Sequence, residues 1–111
     1  MRVDDLDRTV RFNEQTLGLK GARRMTSARG AQLAFIQTPP SDEEIEIGQL
    51  PHSPPVEVQP DLLHRAFEVE NLAAVAAEFA RRGGKLSDGP TRPDPNAIVG
   101  FSDAPEGYEI G

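Results

Sequence analysis

The feature that most constrains the fold of this chain is an internal repeat. The segment "VDDLDRTV" from Val3 and the segment "VENLAAVA" from Val69 share valine, an acid, Asp or Asn, and leucine in the same order. Each copy leads to a glycine, Gly18 or Gly84, so the offset is 66 residues at both ends. Self-similarity at a fixed offset indicates a structural unit that is used twice. We therefore expect two half-domains, each with the end of a strand and a helix closed by glycine.

The second copy contains the clearer helix. Asn71 is a suitable N-cap, because its side-chain oxygen can accept a hydrogen bond from an amide of the first turn. Arg81 and Arg82 fall in the last turn, where positive charge favours the helix dipole, and Gly83 and Gly84 then end the helix. Apolar residues recur on one face at helical spacing, namely Leu72, Val75, Ala76 and Phe79.

The first copy has a weaker helical pattern. Asp5 is the corresponding cap, and Leu6, Val10 and Leu17 form the apolar stripe. Asn13 falls on the same face, where a buried polar side chain needs a partner. We expect Asn13 to bond a nearby backbone group or to lie at the edge of the face, in preference to binding a ligand.

Strand-like segments follow each helix. In the first half they cover 22–26, 31–37 and 44–48, and "SARG" supplies the turn between the first two. In the second half they cover 64–69, a short piece near Leu86, 97–101 and 108–110.

A proline-rich segment separates the two halves. "LPHSPPVEVQP" contains four prolines, which is typical of an extended linker. We predict a single domain over 1–111 that has three parts. These are a first βαβββ module at 1–50, a linker at 51–62 and a second βαβββ module at 63–111.

Composition narrows the possible classes of function. The chain has no cysteine, so disulfides, thiolate metal sites and cysteine nucleophiles are excluded. Its formal net charge of −6 argues against binding to nucleic acid, which depends on clustered Lys and Arg. No apolar run approaches the roughly 18 residues of a membrane span, and "MRVDDLDR" is too acidic for a signal peptide. We expect a cytoplasmic protein without nucleic-acid or membrane partners.

Three segments in this order resemble the vicinal oxygen chelate superfamily, which includes glyoxalase I, methylmalonyl-CoA epimerase, extradiol dioxygenases and bleomycin resistance proteins. They are "RVDDLDRTVRFNEQTLGLK", "HRAFEVENLAAVAAEFARRGG" and "APEGYEI", and "QLAFIQTPPSDEEIEI" is most similar to glyoxalase I, a lactoylglutathione lyase. The resemblance covers nearly the whole chain. It implies an α+β fold in which two tandem βαβββ modules form a barrel-like cleft of mixed sheet.

The resemblance also implies metal chemistry. In that superfamily acids and histidines hold a divalent ion in the cleft, and mixed ligands of this kind suit Zn²⁺, Ni²⁺, Co²⁺ or Mn²⁺. In glyoxalase I the ion binds vicinal oxygens of the substrate and stabilises an enediolate, while a nearby carboxylate moves the proton. Lyases, epimerases, oxygenases and binding proteins share the fold, so the site must decide the reaction.

Three residues match functional positions of the family. Glu46 matches a glutamate metal ligand, and His64 matches the histidine ligand that opens the second half. Arg2 matches the arginine that pairs with a carboxylate of glutathione, so it is the candidate substrate-binding residue. From the residues alone, Glu46 is equally well a solvent-facing acid and His64 a surface histidine. His52, in the linker, is interpreted as a loop residue.

Two positions depart from the family pattern. Gly111 stands where the family has its last ligand, a glutamate that is also the proton-moving base, and no histidine precedes Arg2. The catalytic residue is therefore unknown. Glu109 shares a strand face with position 111, but it is displaced by roughly 6.6 Å along the strand, and we expect it not to replace the lost acid.

Three interpretations follow from this pattern. The chain is a metal-dependent lyase like glyoxalase I, a metal-free protein of the bleomycin resistance type that binds a small molecule, or a shortened fragment of an active enzyme. In each case the expected partner is a small-molecule substrate or ligand. A homodimer is expected, because relatives complete their clefts with a second chain and open sheets leave edges to cover.

Overall fold

The computed structural model describes residues 1–21 and 23–111, which form an α+β fold and so confirm the predicted class. The chain divides into two compact units, Met1–Glu57 and Val58–Gly111, called the first and second unit below. The module and linker boundaries predicted from the sequence stay predictions.

The elements of the first unit are α1 (Leu6–Arg11), a π-helical turn (Phe12–Thr16), β1 (Lys20–Thr26), β2 (Gln32–Gln37) and β3 (Glu44–Gln49). Those of the second unit are β4 (His64–Arg65), α2 (Leu72–Arg81), β5 (Asp88–Asp94), β6 (Ala97–Asp103) and β7 (Glu109–Ile110).

The first unit contains an antiparallel sheet in the order β1-β2-β3. The predicted turn "SARG" joins β1 to β2, and the amide of Gly30 donates to the carbonyl of Ser27 at 2.9 Å. Gly30 has a φ of 84°, a conformation that glycine adopts without steric cost. The opening strand of this half is a single parallel bridge between Arg2 and Gly48.

α1 begins at the predicted cap and packs on β2 and β3. The Oδ1 atom of Asp5 accepts a hydrogen bond from the amide of Arg8 at 3.0 Å. Leu6 and Val10 are buried on the face of α1 that contacts the sheet. The most deeply buried residues of β2 and β3 are Ala34, Ile36 and Ile47.

Asn13 has the backbone partner that its position requires. Its side chain is 0% exposed, and its Nδ2 atom donates to the carbonyl of Thr9 at 2.7 Å. This bond confirms the expectation for Asn13, and it competes for a carbonyl that an α-helix would use for its own backbone. From Phe12 the helix takes π geometry, with the Leu17 amide donating to the Phe12 carbonyl at 3.0 Å. Leu17 is half-buried, so the predicted stripe weakens at its end.

Residues at the start of the chain hold the proline-rich segment. Arg2 Nη2 donates to Ser53 Oγ at 2.7 Å. The amide of Val56 donates to both carboxylate oxygens of Asp4 at 3.0 Å. These bonds attach the segment from Ser53 to Val56 to the first unit, which explains why that unit extends to Glu57.

In the second unit the strand order is β4-β7-β6-β5, with β4 parallel to β7. The predicted strand over 64–69 is wrong beyond Arg65, because its partner β7 offers two residues for pairing. Two backbone bonds continue the pairing at this end, because the Gly111 amide donates to the Arg65 carbonyl at 2.7 Å and the Phe67 amide donates to the Gly111 carbonyl at 2.9 Å. The strands predicted over 97–101 and 108–110 are confirmed, with small differences at their ends.

The strand predicted near Leu86 is wrong, because β5 begins at Asp88. β5 contains Pro90 and Pro93, which lack the amide hydrogen of a regular ladder. All of its residues are exposed, as expected for an edge strand. Its register with β6 shifts between Asp88 and Thr91 and again before Asp94, so each proline lies within an irregular stretch.

α2 matches its predicted caps but not its whole predicted face. Asn71 Oδ1 accepts a hydrogen bond from the amide of Ala74 at 3.0 Å, which confirms the N-cap. Arg81 and Arg82 both pair with Glu78 in the last turn. Phe79 is buried, but Val75 is 44% exposed, so this valine is not part of the core as predicted.

The C-terminus of α2 is closed by two glycines. The amide of Gly84 donates to the Phe79 carbonyl at 2.8 Å, and the amide of Gly83 donates to the Ala80 carbonyl at 3.1 Å. These two bonds form a Schellman motif, which satisfies carbonyls that the helix leaves unpaired. Gly83 has a φ of 87°, and the ring of Phe79 occupies the space that a Cβ at Gly84 would need.

We predict that Gly83→Ala lowers the free energy of unfolding by about 1 to 2 kcal/mol, because an L-residue is strained at this positive φ. No atom lies within 4 Å of the added Cβ, so steric contact contributes nothing. Urea unfolding measures the effect, with Lys85→Ala at an exposed neighbouring position as the control. Equal stability of the two variants would contradict the prediction.

Candidate functional site

Glu46 lies on the face of the first sheet that points away from α1. Its neighbour Ile47 is fully buried against the helix side, whereas Glu46 is exposed, as the alternation of a strand requires. Glu46 is aligned with Phe35 on β2, and Phe35 with Arg23 on β1. A guanidinium, an aromatic ring and a carboxylate therefore form one row across the three strands.

Contacts with its neighbours hold Arg23 in place. Its guanidinium carbon lies 3.8 Å from the centre of the Phe35 ring, a cation–π contact. Its Nη2 atom also lies 3.2 Å from an oxygen of Glu44. The sequence reasoning missed this group, although the alternation of residues on β1 and β2 was a signal that Arg23 and Phe35 could share a face.

Arg2 is engaged by the proline-rich segment. Besides its bond to Ser53, Arg2 Nη2 lies 3.4 Å from the carbonyl oxygen of Pro54. The backbone on either side is tied to β3, because the Gly48 amide donates to the Met1 carbonyl at 2.7 Å. Arg2 is thus anchored rather than frayed, and its role towards a substrate stays a prediction.

In the second unit His64 forms a cluster with Glu109 and Phe101, called the His64 cluster below. The parallel pairing of β4 and β7 aligns His64 with Glu109. The imidazole Nδ1 lies 3.9 Å from Oε1 of Glu109, and the imidazole and Phe101 rings are nearly perpendicular with centres 6.1 Å apart. About half of the His64 side chain is exposed, at 53%. A ligand in solvent can therefore reach the imidazole.

The Gly111 position adjoins the same imidazole. A Cβ added at Gly111 would lie 3.8 Å from Cδ2 of His64 and 3.0 Å from Cε1 of Phe101. A side chain at this position would therefore belong to the His64 cluster, but glycine provides no donor or acceptor there. Glu109 contributes the carboxylate that the cluster does have, although the sequence reasoning had set this residue aside.

Arg65 has an environment that the sequence did not reveal. It follows His64 on the opposite face of β4 and lies half-buried, with its guanidinium carbon 5.9 Å from the centre of the Phe67 ring. Burial lowers the pKa of Arg65 below its ordinary value, and the nearby Glu106 carboxylate raises it in partial compensation. A guanidinium keeps its charge under these conditions, so Arg65 holds a positive charge beneath the His64 strand.

The predicted metal ligands lie in different units, Glu46 in the first and His64 in the second. Within the part of the chain that the structure describes, no three His, Asp or Glu side chains are grouped to hold a metal ion. His52 is exposed in a turn, as expected for a loop residue. Among the described residues, neither helix is long and apolar enough to cross a membrane.

The chain matches a known protein-family model along its whole length. The model of the Glyoxalase/Bleomycin resistance protein/Dioxygenase superfamily matches residues 1–111. No curated protein matches the chain significantly.

Solved structures provide the second comparison. A glyoxalase I variant from Zea mays is similar with a TM-score of 0.83 and 22% identity, over 98% of this chain and 40% of that one. The trypanothione-dependent glyoxalase I of Leishmania major is similar with a TM-score of 0.78 and 24% identity, over 99% of this chain and 78% of that one. A glyoxalase/bleomycin resistance protein from a Streptomyces species has a TM-score of 0.70 and 19% identity, over 98% of this chain and 92% of that one. At these identities the likeness shows the fold, and this chain spans less than half of the maize protein.

We predict that Arg23→Ala and Phe35→Leu are energetically coupled. An exposed cation–π contact contributes about 0.5 to 1 kcal/mol, so the double variant should lose less stability than the two single variants together. Urea unfolding of the four proteins in this cycle measures the coupling. Arg24, which pairs with Asp7, is the matched control. Coupling of Phe35 to Arg24 as strong as its coupling to Arg23 would refute the stacking argument.

Proposed function

The chain belongs to the Glyoxalase/Bleomycin resistance protein/Dioxygenase superfamily, and on this basis we propose that it binds a small oxygenated molecule at the His64 cluster. The observation that carries the proposal is the environment of His64. An accessible imidazole is flanked by the carboxylate of Glu109 and by the perpendicular aromatic ring of Phe101. Binding sites for small molecules typically combine apolar surface with a few such polar groups.

The donor set of the cluster argues for binding over metal-assisted catalysis. Catalytic zinc sites use three protein ligands and keep an open position for water or substrate. Beside His64 the second unit supplies one further candidate, Glu109, and Gly111 supplies none. The residues present in this cluster do not by themselves fit a catalytic metal centre, so we assign no reaction step to a metal. This function corresponds to the metal-free, bleomycin resistance type of protein.

A second candidate function is a metal-dependent lyase or isomerase of the lactoylglutathione lyase kind. Glu46 and His64 would be ligands of Zn²⁺, Ni²⁺, Co²⁺ or Mn²⁺, and Arg2 would contact the substrate. The pairing of His64 with Glu109 favours this candidate, because carboxylates commonly orient or join metal-bound histidines. The candidate still requires a donor that glycine at position 111 does not provide.

We also propose a homodimer in the cytoplasm. β5 is exposed along its whole length and ends the second sheet, so its outer edge is available for a partner. Sedimentation that gives the mass of one chain at all concentrations would contradict the dimer.

The proposed cytoplasmic location agrees with the absence of cysteine from the sequence, and fractionation of cells that make the protein would test this location.

We predict that ligands of the His64 cluster raise the melting temperature of the wild type by an amount that grows with ligand concentration. The probes are a cationic glycopeptide and the hemithioacetal formed by methylglyoxal and glutathione. His64→Ala should abolish the shift, whereas His52→Ala should keep it, because His52 lies in an exposed turn of the first unit. A flat response to both probes, or equal loss in the two variants, would count against the proposal.

We predict that Gly111→Glu binds Ni²⁺ at least about tenfold more tightly than the wild type, because a third donor would then stand beside His64 and Glu109. Gly111→Gln is the control of equal size, and it should give a much smaller gain. Calorimetric titration of the metal-free proteins measures both. Micromolar binding by the wild type that disappears in Glu46→Ala and in His64→Ala would instead favour the lyase.

A further inference from the structure

A recess in the first unit lies between the helical segment and the edge strand β1. Its volume is about 170 Å³, and its walls include Val10, Glu14, Gly21, Arg24, Ala34 and Ile36. Val10, Ala34 and Ile36 lie at its base and are almost wholly buried by the rest of the unit. Glu14 and Arg24 are exposed and form a charged rim. None of these residues belongs to the positions considered above for metal or substrate.

Two backbone irregularities meet at this recess. Glu14 lies in the π-helical turn, Phe12–Thr16, which interrupts the regular α geometry. Across the recess the register of β1 with β2 shifts between Gly21 and Arg23, as in a β-bulge. π-helical turns and β-bulges both occur preferentially beside functional sites, where they redirect side chains. The walls of the recess therefore combine two interruptions of regular backbone geometry.

Gly21 lets the carboxylate of Glu14 approach β1. Oε1 of Glu14 occupies the space that a Cβ at position 21 would take. Among the residues that the structure describes, this carboxylate has no hydrogen-bond or ion-pair partner. The absence of a Cβ at Gly21 leaves room for this carboxylate beside the backbone, and Glu14 contributes its charge to the lining of the recess.

Arg24 provides the opposite charge. Its Nη1 atom lies 2.6 Å from Oδ1 of Asp7, and its side chain is 52% exposed. A guanidinium has five N–H donors, and the bond to Asp7 uses one of them. The anchored guanidinium can still bind a carboxylate, a geometry that arginine favours.

We propose that this recess binds a small zwitterion of the α-amino acid class. The ligand's ammonium would pair with Glu14 and its carboxylate with Arg24, while its side chain would lie within the recess. A ligand with a single charge could pair with only one of these two groups, Glu14 or the guanidinium donors that Arg24 does not give to Asp7, so both charges are needed for full affinity. The recess lies wholly in the first unit and does not depend on the function proposed for the His64 cluster.

The test is a titration of the ¹⁵N-labelled protein with L-leucine, followed by amide chemical shifts. We expect saturable shifts at millimolar ligand, concentrated at the amides of Glu14, Gly21 and Arg24. Isopentylamine and isovalerate share the hydrocarbon group but have one charge each. Since a hydrogen bond to a charged group contributes about 1.5 to 3 kcal/mol, each should bind at least about tenfold more weakly.

Variants separate the contributions of the two charges. Glu14→Gln and Arg24→Gln should each weaken L-leucine binding about tenfold or more, whereas Glu43→Gln and Arg29→Gln, at exposed positions outside the recess, should not. Gly21→Ala should also weaken binding, because its Cβ displaces the Glu14 carboxylate without changing the charge. Absence of saturable shifts in the wild type, equal affinity for the analogues with one charge, or shifts confined to the second unit would overturn the proposal.

Discussion

Burial of Ala34, Ile36 and Ile47 beneath α1 determines what the rest of the first unit can present. Successive side chains of a strand point to opposite faces, so a slip of one residue would exchange the buried and exposed sets. Because the isoleucines must be buried, Glu46, Phe35 and Arg23 share the other face. The charged and aromatic row on that face is therefore a consequence of packing on the helix side.

In the second unit the short pairing of β4 with β7 likewise determines which side chains lie together. β4 and β7 pair over two residues each, and this pairing sets the Glu109 carboxylate and Gly111 beside the His64 imidazole. Arg65 then points to the opposite face, where the Glu106 carboxylate compensates part of the cost of burying its charge. The His64 cluster thus depends on the short parallel ladder between β4 and β7. Its set of polar groups is limited because Gly111, which adjoins the imidazole, has no side chain.

Local sequence signals predicted the elements that local interactions stabilise. Asp5 and Asn71 cap their helices as expected, and Asn13 finds a backbone partner one turn away. β5 was missed because Pro90 and Pro93 argue against a strand, and only the irregular pairing with β6 accommodates them. The strand predicted over 64–69 was too long, because its length is set by the two residues of a distant partner.

By itself the sequence predicted a duplicated plan, and it determined the helix caps, the alternation of buried and exposed residues and the likeness to a known superfamily. These features depend on residues that are near one another in the chain, so local spacing is enough to detect them. Only the tertiary structure decided that Glu109 stands beside His64, that Arg2 holds Ser53, and that Glu14 and Arg24 border one recess. Each of these contacts joins segments far apart in the chain or across a bulge, where register and packing set the distances.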